Sequence, residues 1–369
     1  MISPTWFDAL SEADKLSAKQ LAKKYGDDAA RWTSLQVDLR KKAGVKFYNS
    51  QEMLFDREAL EQATHEAIAT YHASKFPTDA LVIDMTVGIG ADLIALSKRG
   101  PVIGFELDPT RTDYARHNCP GADVRNEDGL AYVVANNCPF IWADPDRRDT
   151  AGKRLIDPSA YEPNPLDIPR DRELTGIKLS PLLQDEYLES VGQRIEFVSY
   201  RGECREAIAW SGNIVDPGIF AVDAESGETL PRHEIEDVVN EPWGIIFDSD
   251  PAAGRAHALG NFGLPQLGDS PGYLTGETHV SSPWLRAYEV LFQDSSDFKR
   301  MKEFLRKNNL RVFEVKQRGA GVDPSSIIKQ LKTEGDPVSL IAWKVEKSVR
   351  YAVVRRMITY ANPTEEFAT

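Results

Sequence analysis

An apolar, β-branched run that breaks at a G-x-G turn and passes at once into a helical pattern limits this chain more than any other feature. The run is Leu81-Val82-Ile83-Asp84-Met85-Thr86, the turn is Val87-Gly88-Ile89-Gly90, and the helix starts at Ala91. Strand, glycine turn and helix in that order open a parallel α/β sheet, with free helix N–H groups aimed at the turn. Gly88 and Gly90 let the backbone bend sharply and approach a ligand, so the segment reads as a cradle for a nucleotide cofactor. G-x-G alone is a weak signal, and the order of the segments downstream of it strengthens it. A second strand, Val102 to Glu106, ends in an acid 18 residues after Gly88; Asp128 comes next; then comes Phe140-Ile141-Trp142-Ala143-Asp144-Pro145-Asp146-Arg147.

Apolar periodicity places strands at 81–86, 102–106, 123–125, 140–143, 175–179, 195–200 and 219–223, alternating with helical patterns. The expected fold is therefore α/β, a seven-stranded Rossmann-like sheet, with a helical region before it and a small α+β domain after it. The organisation is read as a helical N-terminal region over 1–77, the sheet domain over 78–240, a connecting segment over 241–284 and an α+β domain over 285–369. In the N-terminal region Ser11 is expected to cap a helix carrying Leu16, Ala18 and Leu21. Asp27 opens the next, and Thr64 caps one that presents Ile68, Tyr71 and His72. Four prolines between Arg147 and Gly176 argue against a single regular helix in that crossover.

At 369 residues the chain exceeds the size at which one core keeps growing. No apolar run approaches the roughly 18 residues of a membrane span, and Met1 to Leu10 lacks the basic start of a secretory signal. Cys119, Cys138 and Cys204 form no C-x-x-C and read as reduced thiols of a cytoplasmic protein. No His or Cys cluster points to a metal. The net charge of −13 is unevenly distributed: from Leu285 onward there are 16 Lys+Arg against 11 Asp+Glu, a balance of +5, and the remainder carries 28 against 46, a balance of −18. An acidic catalytic body joined to a basic domain is the organisation this implies, and a basic domain suits a polyanionic partner.

The candidate cofactor residues are Asp84, Thr86, Gly88, Gly90, Glu106 and Asp128. Asp84 is placed to orient the amino-acid portion of a cofactor, Glu106 to accept hydrogen bonds from ribose hydroxyls, and Asp128 to accept from an adenine amino group. A nicotinamide enzyme would also place an acid at 106. Asp144-Pro145-Asp146-Arg147 separates methyl transfer from hydride transfer, since a dehydrogenase needs no such tetrad after its fourth strand. Lys178, at the end of the fifth strand, is a candidate for substrate contact. Lys316-Gln317-Arg318-Gly319-Ala320-Gly321 is a basic, glycine-rich loop whose Lys316 and Arg318 could contact a phosphate backbone; a flexible turn explains its glycines equally well.

These residues carry a resemblance. Leu60-Glu61-Gln62-Ala63-Thr64, Asp84 to Gly90, Ala143-Asp144-Pro145-Asp146-Arg147-Arg148, Ile177-Lys178-Leu179-Ser180-Pro181, Arg201-Gly202-Glu203-Cys204 and Val315-Lys316-Gln317-Arg318-Gly319 resemble the class I RNA methyltransferases that end in a THUMP-like domain. More distantly, the catalytic half is similar to the trimethylguanosine synthase type, with Thr64-His65-Glu66 where that type has Thr-Pro-Glu. The resemblance implies S-adenosylmethionine as cofactor and RNA as partner of the C-terminal domain. In the related nucleobase amino-methyltransferases the tetrad is Asp/Asn-Pro-Pro-aromatic. Its carboxylate or amide oxygen and a backbone carbonyl accept from the exocyclic amine, turning the nitrogen lone pair toward the methyl group. Here Asp146 replaces the second proline and Arg147 the aromatic residue. The expected function is thus methylation of a base nitrogen in a structured RNA, with Asp144, Pro145, Asp146 and Arg147 as the catalytic set. The alternatives are a noncatalytic RNA-binding protein that keeps a cofactor pocket, a small-molecule or protein methyltransferase, and a nicotinamide oxidoreductase.

Overall fold

The computed structural model of the protein describes residues 3–148, 152–153, 155–294 and 297–357. Its first sheet is built from β1 (Val82–Asp84), β2 (Val102–Phe105), β3 (Asp123–Arg125), β4 (Phe140–Ala143), β5 (Leu174–Leu179), β6 (Arg194–Tyr200), β7 (Glu203–Ser211), β8 (Gly218–Asp223) and β9 (Thr229–Pro231). They lie in the order β3-β2-β1-β4-β5-β7-β6-β8-β9. Strands β3 to β5 of that order are parallel, and β7 runs antiparallel to β5. The chain reverses its direction of travel across the sheet between β1 and β4. Such a switch opens a crevice beyond the carboxyl ends of those two strands, where the G-x-G turn and the Asp144 loop are found.

The sheet has nine strands where the sequence pattern suggests seven. β7 escaped the pattern because its first half, Glu203-Cys204-Arg205-Glu206, is charged, although the residues from Glu206 to Ser211 are all buried. A charged start hides a strand from a search for apolar alternation.

A second sheet contains β10 (Val238–Val239), β11 (Ile245–Ser249), β12 (Gln266–Leu267), β13 (Tyr273–Gly276), β14 (Leu285–Asp294), β15 (Leu310–Gln317), β16 (Asp336–Val345) and β17 (Ser348–Arg356). Its order is β10-β12-β13-β11-β14-β17-β16-β15. Helices Phe298–Lys307 and Pro324–Gln330 put Met301, Leu305 and Ile327 into one core with Val312, Leu340 and Val353. By contacts the chain divides into two compact units. One is Met1–Glu196 with Glu206–Gly218 and Asp223–Gly227; the other is Phe197–Arg205 with Ile219–Val222 and Glu228–Thr369.

Five helices precede β1: Pro4–Ser11, Ala18–Tyr25, Asp27–Ala43, Arg57–Gln62 and Glu66–Ser74. Ser11 ends the first of them, and Ser17 caps the second through a reciprocal box with Gln20, a tighter local solution than a cap at Ser11. Thr64 is not a cap either. His65 Nδ1 accepts from Ala67 N at 3.1 Å, which frees the Thr64 hydroxyl. The long helix carries Trp32 and Leu39 into a core with Phe55, Leu60, Ile89 and Ala91. Trp32 Nε1 donates to Tyr114 Oη at 3.0 Å, and Gln36 exchanges two hydrogen bonds with the Phe55 backbone. The glycine turn is thus packed from behind by N-terminal side chains.

Candidate active site

The turn after β1 takes its shape from two glycines with positive φ, +56° at Gly88 and +94° at Gly90, a backbone region that costs other residues strain. A Cβ on Gly88 would meet nothing within 4 Å, so open space lies over that residue. The side of the turn facing β2 is fixed by Glu106, whose carboxylate accepts from Gly88 N at 2.9 Å and from Asp108 N at 2.8 Å. Burial raises the Glu106 pKa above the usual carboxylate range, against the pull of those two amides. Asn126, which the sequence pattern does not single out, donates from Nδ2 to the backbone carbonyls of Glu106 and Leu107, both at 2.8 Å.

Asp84 closes β1 and is 1% exposed. Its Oδ1 accepts from Thr86 N at 3.2 Å, while Oδ2 is buried with no partner. Burial and the neighbouring Asp92 push its pKa well above the ordinary value. A buried carboxylate oxygen left unpaired is costly, and a cationic ligand group would remove that cost. Thr86 Oγ1 accepts from Asp144 N at 2.6 Å, which ties the turn to the end of β4. Asp128 is exposed and caps helix Gly129–Ala135, with Oδ1 accepting from Leu130 N and Ala131 N. Gly129 has a steric role: a Cβ there would lie 2.5 Å from the Met85 carbonyl oxygen.

Asp144 is held at the edge of a buried charge network. Lys178 Nζ, 4% exposed, donates to Asp144 Oδ2 at 2.7 Å and to Thr64 Oγ1 at 3.1 Å. Thr64 donates to Asp92 Oδ2 at 2.9 Å, and Asp92 Oδ1 meets His72 Nδ1 at 2.7 Å. His72 Nε2 meets Glu206 Oε1 at 2.5 Å, and Glu206 Oε2 lies 3.8 Å from Lys178 Nζ, closing a ring. Burial disfavours the imidazolium, yet Glu206 and Asp92 outweigh it and raise His72 to about 9. Burial opposes the charged forms of Lys178, Asp92 and Glu206 too, and the opposite charges win at each: Lys178 is shifted up, Asp92 and Glu206 down. Two cations and two anions make the ring neutral. His72 also lies against Trp142, ring centroids 4.3 Å apart.

Asp144 Oδ1 has no protein partner among the described residues, and its side chain is one-quarter exposed. Burial raises its pKa despite the cations Lys178 and Arg147. Pro145 is buried. The Asp146 backbone pairs in both directions with that of Glu162, and its Oδ1 accepts from Arg148 N at 3.0 Å. Arg147 keeps Nη1 buried and unpartnered. Lys178, expected as a substrate contact, is instead spoken for by Asp144 and Thr64. The roles of Thr64, His72, Asp92 and Glu206 are not foreseen from the sequence. Only His72 and Asp92 carry a local signal, an ionisable group set within an apolar pattern, as in Ala91-Asp92-Leu93-Ile94.

Lys316 and Arg318 belong to the second unit. Arg318 Nε donates to Asp248 Oδ1 at 2.9 Å, Lys316 Nζ lies 3.5 Å from Asp248 Oδ2, and Arg318 also donates to the Ser249 carbonyl. Both cations are engaged internally.

Two uncharacterized S-adenosylmethionine-dependent methyltransferases of Mycobacterium tuberculosis, from strains CDC 1551 and H37Rv, are each 32% identical to the chain over 342 residues, 86% of this chain and 94% of the relative. The chain belongs to the S-adenosylmethionine-dependent methyltransferases. Its fold matches the crystal structure titled "putative methyltransferase" from Porphyromonas gingivalis W83, with a TM-score of 0.79 at 18% identity over 96% of this chain and 98% of that one. No protein-family model matches the chain. The methyltransferase uses S-adenosylmethionine, and its residues suit that group. The unpaired Asp84 Oδ2 can meet the ammonium of the methionyl portion, and the open space over Gly88 can admit the ligand. Among the described residues of the methyltransferase, no group of three or more His, Cys, Asp and Glu could hold a metal, and no helix is long and apolar enough to cross a membrane.

Proposed function

We propose that this methyltransferase modifies a base nitrogen of a structured RNA, with Asp84, Thr86, Gly88, Gly90, Glu106 and Asp128 forming the cofactor pocket. The observation that carries the reading is Asp144: one carboxylate oxygen is fixed by Lys178 and Thr86 holds the backbone, while the other oxygen is open. The cofactor supplies an electrophilic methyl group. Asp144 Oδ1 then accepts a hydrogen bond from the amine to be methylated and turns its lone pair toward that group. Methyl transfer would be an in-line displacement in which the N–CH3 bond forms as the S–CH3 bond breaks, S-adenosylhomocysteine leaves, and the amine proton passes by way of Asp144 Oδ1 to solvent, so positioning and desolvation supply much of the rate. Pro145 stiffens the loop, Asp146 holds it to Glu162, and Arg147 offers a guanidinium plane to base or phosphate.

RNA as substrate is supported by the charge of the stretch 285–369, +5 in a chain of −13; it supplies four of the eight strands of the second sheet, and we read it as a THUMP-like RNA-binding part of the second unit. The test is incubation with labelled S-adenosylmethionine and total cellular RNA, followed by mapping of the modified nucleoside. Label in RNA with the wild type and none with Asp144→Ala is the expected result. Label confined to proteins or small molecules overturns the reading.

A further inference from the structure

Among the described residues β15 is the last strand of the second sheet, and one of its edges has no strand neighbour there. Along its paired edge, Val312 faces Val338 and Glu314 faces Ser339, which leaves Phe313 as an extra residue in a bulge. Leu310 and Val312 are buried, but Phe313 is 50% exposed. A phenyl ring held in water at a strand edge gains little from the fold itself.

The segment around it is cationic. Helix Phe298–Lys307 turns Met301 and Leu305 into the core and leaves Arg306 and Lys307 exposed; exposed Arg311 lies a short way beyond, after two asparagines. Thr333 Oγ1 donates to the Leu310 carbonyl at 2.7 Å and Asp336 N to the Asn309 carbonyl at 2.8 Å, which brings exposed Lys332 beside the same turn. Among the described residues, no carboxylate lies within salt-bridge distance of Arg306, Lys307, Arg311 or Lys332, although Glu334 and Asp336 are nearby in sequence. This contrasts with Lys316 and Arg318, which share Asp248 as an ion-pair partner.

We propose that Phe313, with Arg306, Lys307, Arg311 and Lys332, is a landing site for a single-stranded stretch of RNA. A base stacks on the phenyl ring and the cations take the flanking phosphates. The inference rests on RNA being the substrate and names the surface that serves it. A lipid surface fits less well, because the apolar side chains of the helix are committed to the core. A second copy of the chain adding a strand would lose register at the bulge.

The experiment is fluorescence anisotropy of full-length protein with labelled oligouridylate over a series of salt concentrations, with calorimetric binding of S-adenosylhomocysteine as the check on folding. Phe313→Ala should bind oligouridylate about 10-fold more weakly with the salt slope unchanged, and Phe313→Tyr should bind as the wild type. Arg306→Ala, Lys307→Ala and Arg311→Ala should each lower the slope by about 0.7. Lys316→Ala should leave binding unchanged. Equal binding by wild type and Phe313→Ala overturns the landing site and leaves the RNA reading standing. So does sedimentation that shifts from dimer to monomer in Phe313→Ala, which would mark the edge as a contact between copies. A wild type that binds neither oligouridylate nor total cellular RNA fails both.

Discussion

Lys178 Nζ donates to Asp144 Oδ2 at 2.7 Å from a position that is itself almost fully enclosed, so the carboxylate at the end of β4 is oriented by a cation that solvent hardly reaches. Removing one partner of such a pair leaves an uncompensated charge in the interior. Lys178→Met is expected to lose about 3 to 5 kcal/mol of unfolding free energy, read by urea denaturation. A loss under about 1 kcal/mol would show that the pair is solvated and does not organise the site.

Asp144→Ala should separate binding from turnover. S-adenosylhomocysteine affinity, measured by calorimetry, should change little, while methyl incorporation into RNA falls by roughly 100-fold or more, as for a hydrogen bond used mainly in the transition state. Unchanged incorporation would place the chemistry elsewhere in the loop.

Glu106→Ala should weaken cofactor binding by on the order of 1.5 to 3 kcal/mol, the cost of a lost charged acceptor. Part of that cost comes from the turn itself, since Glu106 also accepts from Gly88 N. Equal affinities in wild type and variant would remove Glu106 from the pocket.

The ring around His72 gives stability a definite pH dependence. His72 rises from 6.5 to about 9 on folding, so its contribution is complete below pH 6.5 and is lost as pH climbs through about 9. Asp92 and Glu206 shift the other way; their contribution holds above the ordinary carboxylate range and is lost as pH falls through their lowered values. Unfolding free energy measured against pH should therefore decline between about 6.5 and 9, and His72→Gln should flatten that alkaline limb. An alkaline limb of the same steepness in the variant would assign the effect to another group.

Gly129→Ala tests the steric role of the residue that opens helix Gly129–Ala135. The added methyl meets a backbone carbonyl at 2.5 Å, which cannot swing aside as a side chain could. Destabilisation on the order of 1 to 3 kcal/mol is expected by thermal unfolding. A variant as stable as the wild type would mean that the Met85 backbone gives way.

Much of the first sheet was legible because its strands are short apolar runs closed by turns, and the G-x-G turn, Glu106 and Asp144 mark strand ends that local pattern identifies. From 285 onward strand and helix do mix as expected, in β14 through β17 and helices Phe298–Lys307 and Pro324–Gln330, but their sheet already holds β10 to β13, so a boundary at 285 is not a feature of the fold. The ring was not legible. His72 and Glu206 are 134 residues apart, and nothing in either neighbourhood names the other as its partner. Lys178 read as a substrate-facing lysine because its burial depends on β7, a strand hidden by its charged beginning. Residues 245–249 and 273–276 read as connection although Ile245-Ile246-Phe247 is as apolar as β4, because the strands they pair with are distant in sequence and no glycine turn or helical pattern frames them.

The order in which a ribosome delivers the chain gives the ring a further consequence. Thr64, His72, Asp92 and Lys178 all emerge before Glu206, and β7 must then enter the sheet beside β5, a strand made earlier. Until that insertion His72 and Lys178 lack one of their two carboxylates, so the first unit cannot reach its final charge balance on the nascent chain while β7 is still inside the exit tunnel. Closing the ring is then a late, long-range step of folding, completed only when the polypeptide has been made well past its midpoint.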